Sequence, residues 1–148
     1  MSEVMSAKLF LVGTNIICVT VVFHVIGLVS LAAIMKTIDK KLTNVAALLK
    51  MVLLLGTCVF SVLFLHVVEA WAWAGVYMIL GEFDTIERAL YFSIVTSTTL
   101  GYGDITLSEQ WQLLSTFEAM GGLILFGATT AFLLGIMGEM FENPGRSN

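Results

Sequence analysis

At 148 residues the chain has the length of one domain, and 58% hydrophobic against 12% charged residues lies far outside the soluble average, which excludes an ordinary soluble globular fold. The net charge of −4 is scattered, with no basic cluster of the kind that binds nucleic acid. Cys18 and Cys58 both fall in apolar stretches and suggest neither a metal site nor a disulfide framework.

A short polar leader, Met1 to Ala7, precedes an apolar stretch from Lys8 to Met35, which as helix is about 40 Å long and crosses a hydrocarbon core of ~30 Å with some tilt. This is the first expected span. A secretory signal is set aside, because Glu3 and Lys8 leave no positive leader charge and the apolar run is too long. Asn15 and His24 lie inside the span, and no role is assigned to His24. Lys36, Lys40, Lys41 and Lys50 then form the only basic cluster between spans, which places that loop on the cytoplasmic side and the amino terminus outside.

The second span is expected from about Ala46 to His66 or beyond, with Lys50 reaching the inner headgroups, Trp71 and Trp73 at the outer interface, and Val76 to Leu80 near the membrane surface. His66 and Glu69 share a helix face at a spacing of three; a functional pair and an interfacial pair that orients the helix both fit. Asp84 with Glu87 reads as an N-cap and its capping-box partner, opening a helix from Thr85 to about Ser97. At roughly 20 Å that helix is too short to cross, so it must dip in and return. It leads into Thr98-Thr99-Leu100-Gly101-Tyr102-Gly103-Asp104. After a second expected capping box at Thr106 and Glu109, one long helix from Gln110 to about Phe141 forms the last span, stopped by Pro144-Gly145.

Thr99 to Asp104 resembles the signature loop of pore-loop potassium channels, Thr-(Val/Ile/Leu)-Gly-Tyr-Gly-Asp, and the order of outer helix, re-entrant helix, glycine loop and inner helix is similar to small prokaryotic members of the two-helix ion-channel family. The likeness runs from about His66 to Phe141 and is sharp from Tyr91 to Asp104. It implies a passive, potassium-selective channel in which the carbonyls of Thr99, Leu100, Gly101 and Tyr102, with the Thr99 hydroxyl, bind K+ and Gly103 completes the filter. The expected fold is an all-α membrane protein: three transmembrane helices, a re-entrant pore helix and a filter loop, assembled as a homotetramer in the bilayer. Residues 1–43 would be an added span and loop, and residues 44–148 the pore domain. No cofactor is expected beyond the permeant ion, and no small-molecule substrate.

The chemistry behind the resemblance can be argued from the residues. An ion crossing hydrocarbon must exchange its water shell for other oxygens, and main-chain carbonyls aimed at one axis are the densest supply. Aiming consecutive carbonyls one way needs backbone of alternating handedness, nearly free for Gly101 and Gly103 and costly for residues with a Cβ. One chain carries one such loop, so four copies around an axis are expected. The carboxyl end of the preceding helix would then favour a cation below the loop.

Among supporting residues, the resemblance makes Tyr91 and Phe92 an aromatic pair around Tyr102, with Thr98 and Asp104 flanking the filter. Some members carry a carboxylate where Val95 sits; here Asp104 is left to Tyr91 or water. In the last span Gly127, Ala131 and Gly135 fall four apart, a small-residue stripe suited to an inner-bundle contact. Gly121-Gly122 fits either a gating hinge or room for the pore helix. One of Thr129 and Thr130 is expected to face the cavity. Glu118 is expected to be protonated or hydrogen-bonded behind the pore helix to Ser97, Thr98 or Tyr91, as filter brace or inter-helix link. Glu139 and Glu142 fit an acidic ring at the inner mouth or a solvated helix end. No helix carries the regular Arg or Lys repeat of a voltage sensor, and no soluble ligand-gating domain is expected after Phe141. The rival readings are a weakly selective cation channel and a non-conducting accessory subunit. An enzyme is the weakest, His66 with Glu69 being its sole candidate pair.

Overall fold

The computed structural model describes the backbone of residues 3–142 and the side chains of 7–139. Pro144-Gly145, the first residues of the leader and the side chain of Glu142 lie outside the described residues. Four helices follow one another: α1 (Glu3–Lys41), α2 (Ala47–Ile79), α3 (Ile86–Ser97) and α4 (Gln112–Glu142), with no strand among the described residues. Three of them are long and apolar enough to cross a bilayer, through Ala7–Lys41, Ala47–Ile79 and Gln112–Glu139. The protein is an all-α, multi-pass membrane protein.

Several boundaries differ from expectation, each for a local reason. The leader is helical from Glu3 onward, because nothing in it breaks a helix that the apolar run has already nucleated. Helix α2, expected to reach His66 or beyond, continues to Ile79 and ends in a Schellman motif. There Gly81, at φ 74°, lets its own N–H reach Met78 O and that of Glu82 reach Tyr77 O. Thr85 rather than Asp84 caps α3, its hydroxyl accepting from the Arg88 N–H at 3.4 Å. Helix α4 starts at Gln112, and Glu82 rather than a Thr106 box holds the preceding turn, accepting from the N–H (2.7 Å) and hydroxyl (2.8 Å) of Ser108. Lys50 pairs with Asp39 at 2.8 Å across the α1–α2 turn. Trp71 is exposed, but Trp73 is buried in the core.

Helix α1 packs along both α2 and α4, and α3 is wedged between α2 and α4 at one end, the end that carries the glycine loop. Two glycines permit the close approach of α1: a Cβ on Gly13 would fall 2.8 Å from the Phe117 ring, and one on Gly27 2.6 Å from Leu65. Two apolar clusters result. At the glycine-loop end, Leu9, Trp73, Tyr77, Phe83, Phe92 and Trp111 form one. At the other, Leu28, Leu31, Met35, Leu54, Cys58 and Val62 form the second.

Candidate functional site

Helix α3 delivers the glycine loop. Its last turn does not simply end: the N–H groups of Thr99 (to Thr96 O, 2.9 Å), Leu100 (to Val95 O, 3.0 Å) and Gly101 (to Val95 O, 3.1 Å) all turn back onto it. Positive φ then occurs at every second residue, 59° at Thr99, 52° at Gly101 and 75° at Gly103. The backbone thus alternates in and out of the left-handed region along the loop. A Cβ on Gly101 or Gly103 would meet nothing within 4 Å, so the glycines are there for their φ rather than for space. Thr99 adopts the same region with a Cβ, at a cost on the order of 1–2 kcal/mol. Among the described residues no protein donor reaches a carbonyl oxygen from Thr99 to Gly103. The loop holds itself by its N–H groups and leaves its carbonyls free.

Three polar links brace it. Tyr91 donates its hydroxyl to Asp104 at 2.8 Å, one of the two partners expected for that carboxylate. The carboxylate holds the Tyr91 phenol above its ordinary pKa, since the proton is what the bond needs. Glu82 ties the α2–α3 turn to Ser108 beyond the loop. Glu118, wholly buried, joins three helices: Tyr77 of α2 donates to it at 2.6 Å, and it is hydrogen-bonded to Ser93 of α3. The Ser93 hydroxyl also lies 3.0 Å from Ala70 O. A protonated Glu118 serves every atom in this chain: Tyr77 donates to it, it donates to Ser93, and Ser93 donates to Ala70. The expected partners Ser97, Thr98 and Tyr91 are therefore replaced by Tyr77 and Ser93. Thr98 instead donates back to Ile94 O at 2.7 Å.

A family model described as ion channel matches residues 47–139, most of the chain. The chain belongs to the ion channel family. Neither the comparison with curated proteins nor that with solved structures finds a match. The matched region begins with α2, so α1 lies wholly before it.

The remaining sequence-predicted residues of this ion channel are distributed as follows. Phe92 does not pack around Tyr102; it is buried beside Tyr77 and Phe83, at centroid distances of 5.2 and 5.3 Å, because its face of α3 points into its own chain's core. Leu100 and Tyr102 are 54% and 66% exposed, so nothing in the same chain wedges them. Gly122 makes room: a Cβ there would lie 2.2 Å from the Ser97 carbonyl oxygen, and α4 is helical throughout. Gly127, Ala131 and Gly135 form an exposed stripe of α4, and Glu139 is exposed. Thr130 is exposed and bonds back to Phe126 O. Thr129 turns the other way, into the bundle, where it meets two imidazoles.

His24, which carries no assigned role in the sequence analysis, is one of them. It is wholly buried, 2.8 Å by Nδ1 from Glu69, while His66 Nδ1 lies 3.0 Å from the other Glu69 oxygen. The pair at His66 and Glu69 is thus part of a buried cluster rather than an interfacial orienting pair. The available signal was depth: four polar or ionisable residues, His24, His66, Glu69 and Thr129, fall inside three separate spans, and each needs a partner there.

Proposed function

We propose that this ion channel is a passive potassium-selective channel, and that four copies surround one axis with Thr99, Leu100, Gly101, Tyr102 and Gly103 as the filter. The observation that carries this is the alternating positive φ at Thr99, Gly101 and Gly103 together with carbonyls that accept no protein hydrogen bond. In this reading K+ exchanges its water for those oxygens and is the transported ion, with no resident cofactor and no chemical reaction. Fourfold assembly is supported by the single loop per chain, by the exposed Leu100 and Tyr102, and by the open stripe Gly127, Ala131 and Gly135 on α4. Residues 44–148 act as the pore domain, and residues 1–43 as a helix added to its flank. The lysine-rich α1–α2 turn faces the cytoplasm, which puts the amino terminus outside and the end of α4 inside.

The test is potassium flux from liposomes containing this chain alone, with sodium as competitor and barium as blocker. Barium-sensitive flux that sodium neither carries nor relieves supports the reading; sealed liposomes, or equal sodium flux, overturn it.

A further inference from the structure

Between the two apolar clusters lies one polar layer, and it closes on itself. His24 Nδ1 and His66 Nδ1 each face one oxygen of Glu69, at 2.8 and 3.0 Å; His24 Nε2 and His66 Nε2 both face Thr129 Oγ1, at 3.1 and 2.9 Å. Phe126 stacks on His66 at 4.1 Å, and the imidazole centroids are 5.1 Å apart. Three helices contribute, and α1 supplies His24 from outside the region that the family model matches.

Hydrogens in such a ring can be counted. The four contacts need four hydrogens. An ionised Glu69 brings none, two neutral imidazoles bring one each, and the Thr129 hydroxyl brings one. One contact would then set lone pair against lone pair, with a bare negative charge in the middle of the bundle. A single added proton, on either imidazole or on Glu69, supplies the missing hydrogen and makes the ring neutral. We propose that the His24, His66, Glu69 and Thr129 ring is a proton-binding site that latches α1 to α4 only when its exchangeable proton is bound.

A metal ion suits the same donor types less well. Every nitrogen and oxygen of the ring already has a partner, and among the described residues no buried side-chain polar atom lacks one, whereas a metal would need the imidazole lone pairs free. Other titratable groups are remote. On α1 the nearest are exposed Cys18 and Lys36; on α2, buried Cys58 and Tyr77, each eight residues away; on α4, Glu118 and Glu139, eleven and ten residues from Thr129. Ten residues of helix are about 15 Å. On α3, Ser93 is committed to Ala70 O and Glu118.

The decisive variant is Glu69→Gln, whose amide brings its own hydrogen and completes the ring with two neutral imidazoles and no added proton. The measurement is the unfolding equilibrium of the purified full chain in nanodiscs from pH 5 to pH 10. Wild type should lose stability as pH rises from the unfolded histidine range up to the ring's own midpoint, by up to about tenfold per pH unit per subunit, and Glu69→Gln should lose that dependence. Thr129→Ser should retain the step. Thr129→Val, which leaves two contacts that two neutral imidazoles fill, should shrink the step to what the buried charge of Glu69 alone contributes, and covers the case in which Glu69→Gln does not fold. A pH step that persists in Glu69→Gln, or that is undiminished in Thr129→Val, overturns the proposal, as does stabilisation of wild type by micromolar Zn2+ that Glu69→Gln abolishes. Because α4 is the inner helix under the proposed function, potassium flux should change across the same pH window in wild type and not in Glu69→Gln. That last readout rests on the channel reading, whereas the unfolding experiment stands without it.

Discussion

Replacing Glu118 separates a need for hydrogen bonding from a need for charge. The side chain is wholly buried and links Tyr77, itself wholly buried, to Ser93. In Glu118→Ala the Tyr77 hydroxyl loses its acceptor, at about 1–3 kcal/mol for an unsatisfied buried donor. The vacated carboxyethyl volume adds about 1–2 kcal/mol where three packed helices cannot collapse into it. Ser93 keeps Ala70 O and contributes little. The sum is about 2–5 kcal/mol per subunit. In Glu118→Gln the carbonyl accepts from Tyr77 and the amide donates to Ser93, which donates to Ala70, so the protonated acid is reproduced bond for bond and the change stays within about 1 kcal/mol. Tyr77→Phe should fall between the two. Unfolding by SDS titration in mixed micelles, followed by tryptophan fluorescence, measures all three. A glutamine variant as unstable as the alanine one would refute the account, since only a required negative charge distinguishes glutamine from glutamate here.

Gly122→Ala should disrupt the fold, because its Cβ meets the Ser97 carbonyl at 2.2 Å, while Gly121→Ala, whose nearest neighbour is Ile17 at 3.4 Å, should be tolerated; equal effects on thermal stability would restore the hinge reading. Gly101→Ala has room for its methyl group but must hold φ near 52°, at about 1–2 kcal/mol per subunit, so liposome flux should fall with little change in expression or helix content, and unchanged flux would contradict the backbone argument. The Tyr91 phenol, held up by Asp104, should titrate above the free tyrosine value of about 10 in an alkaline absorbance titration compared with Tyr91→Phe. Its stabilising effect is full below the free value and lost as pH rises through the folded one, and a phenol titrating at or below about 10 would remove Asp104 as its partner.

The loop was legible because its requirement is local. Alternating glycines state a backbone conformation directly, and the φ values of Gly101 and Gly103 follow from residue type alone. The three spans were legible from apolar length, but their ends were not. Whether α3 starts at Asp84 or Thr85 depends on which side chain reaches the free Arg88 N–H, and both residue types cap well. Partners across helices were the least legible. A glutamate at the depth of Glu118 is legible as buried and in need of a bond, yet its partners on α2 and α3 depend on helix rotation, which the sequence does not carry when an apolar residue occupies almost every face. His24 shows the same limit more sharply. In one helix it is an isolated imidazole, and only the packing of α1 against α2 and α4 turns it into a quarter of a ring.

The filter claim is tested most directly by the reversal potential of single channels in a planar bilayer, with potassium on one side, sodium on the other and no other permeant cation. Carbonyls shaped to replace the hydration shell of the larger ion predict a reversal potential far from zero, displaced towards the potassium equilibrium value. A reversal potential at zero would show that the loop passes both ions alike and would contradict the account.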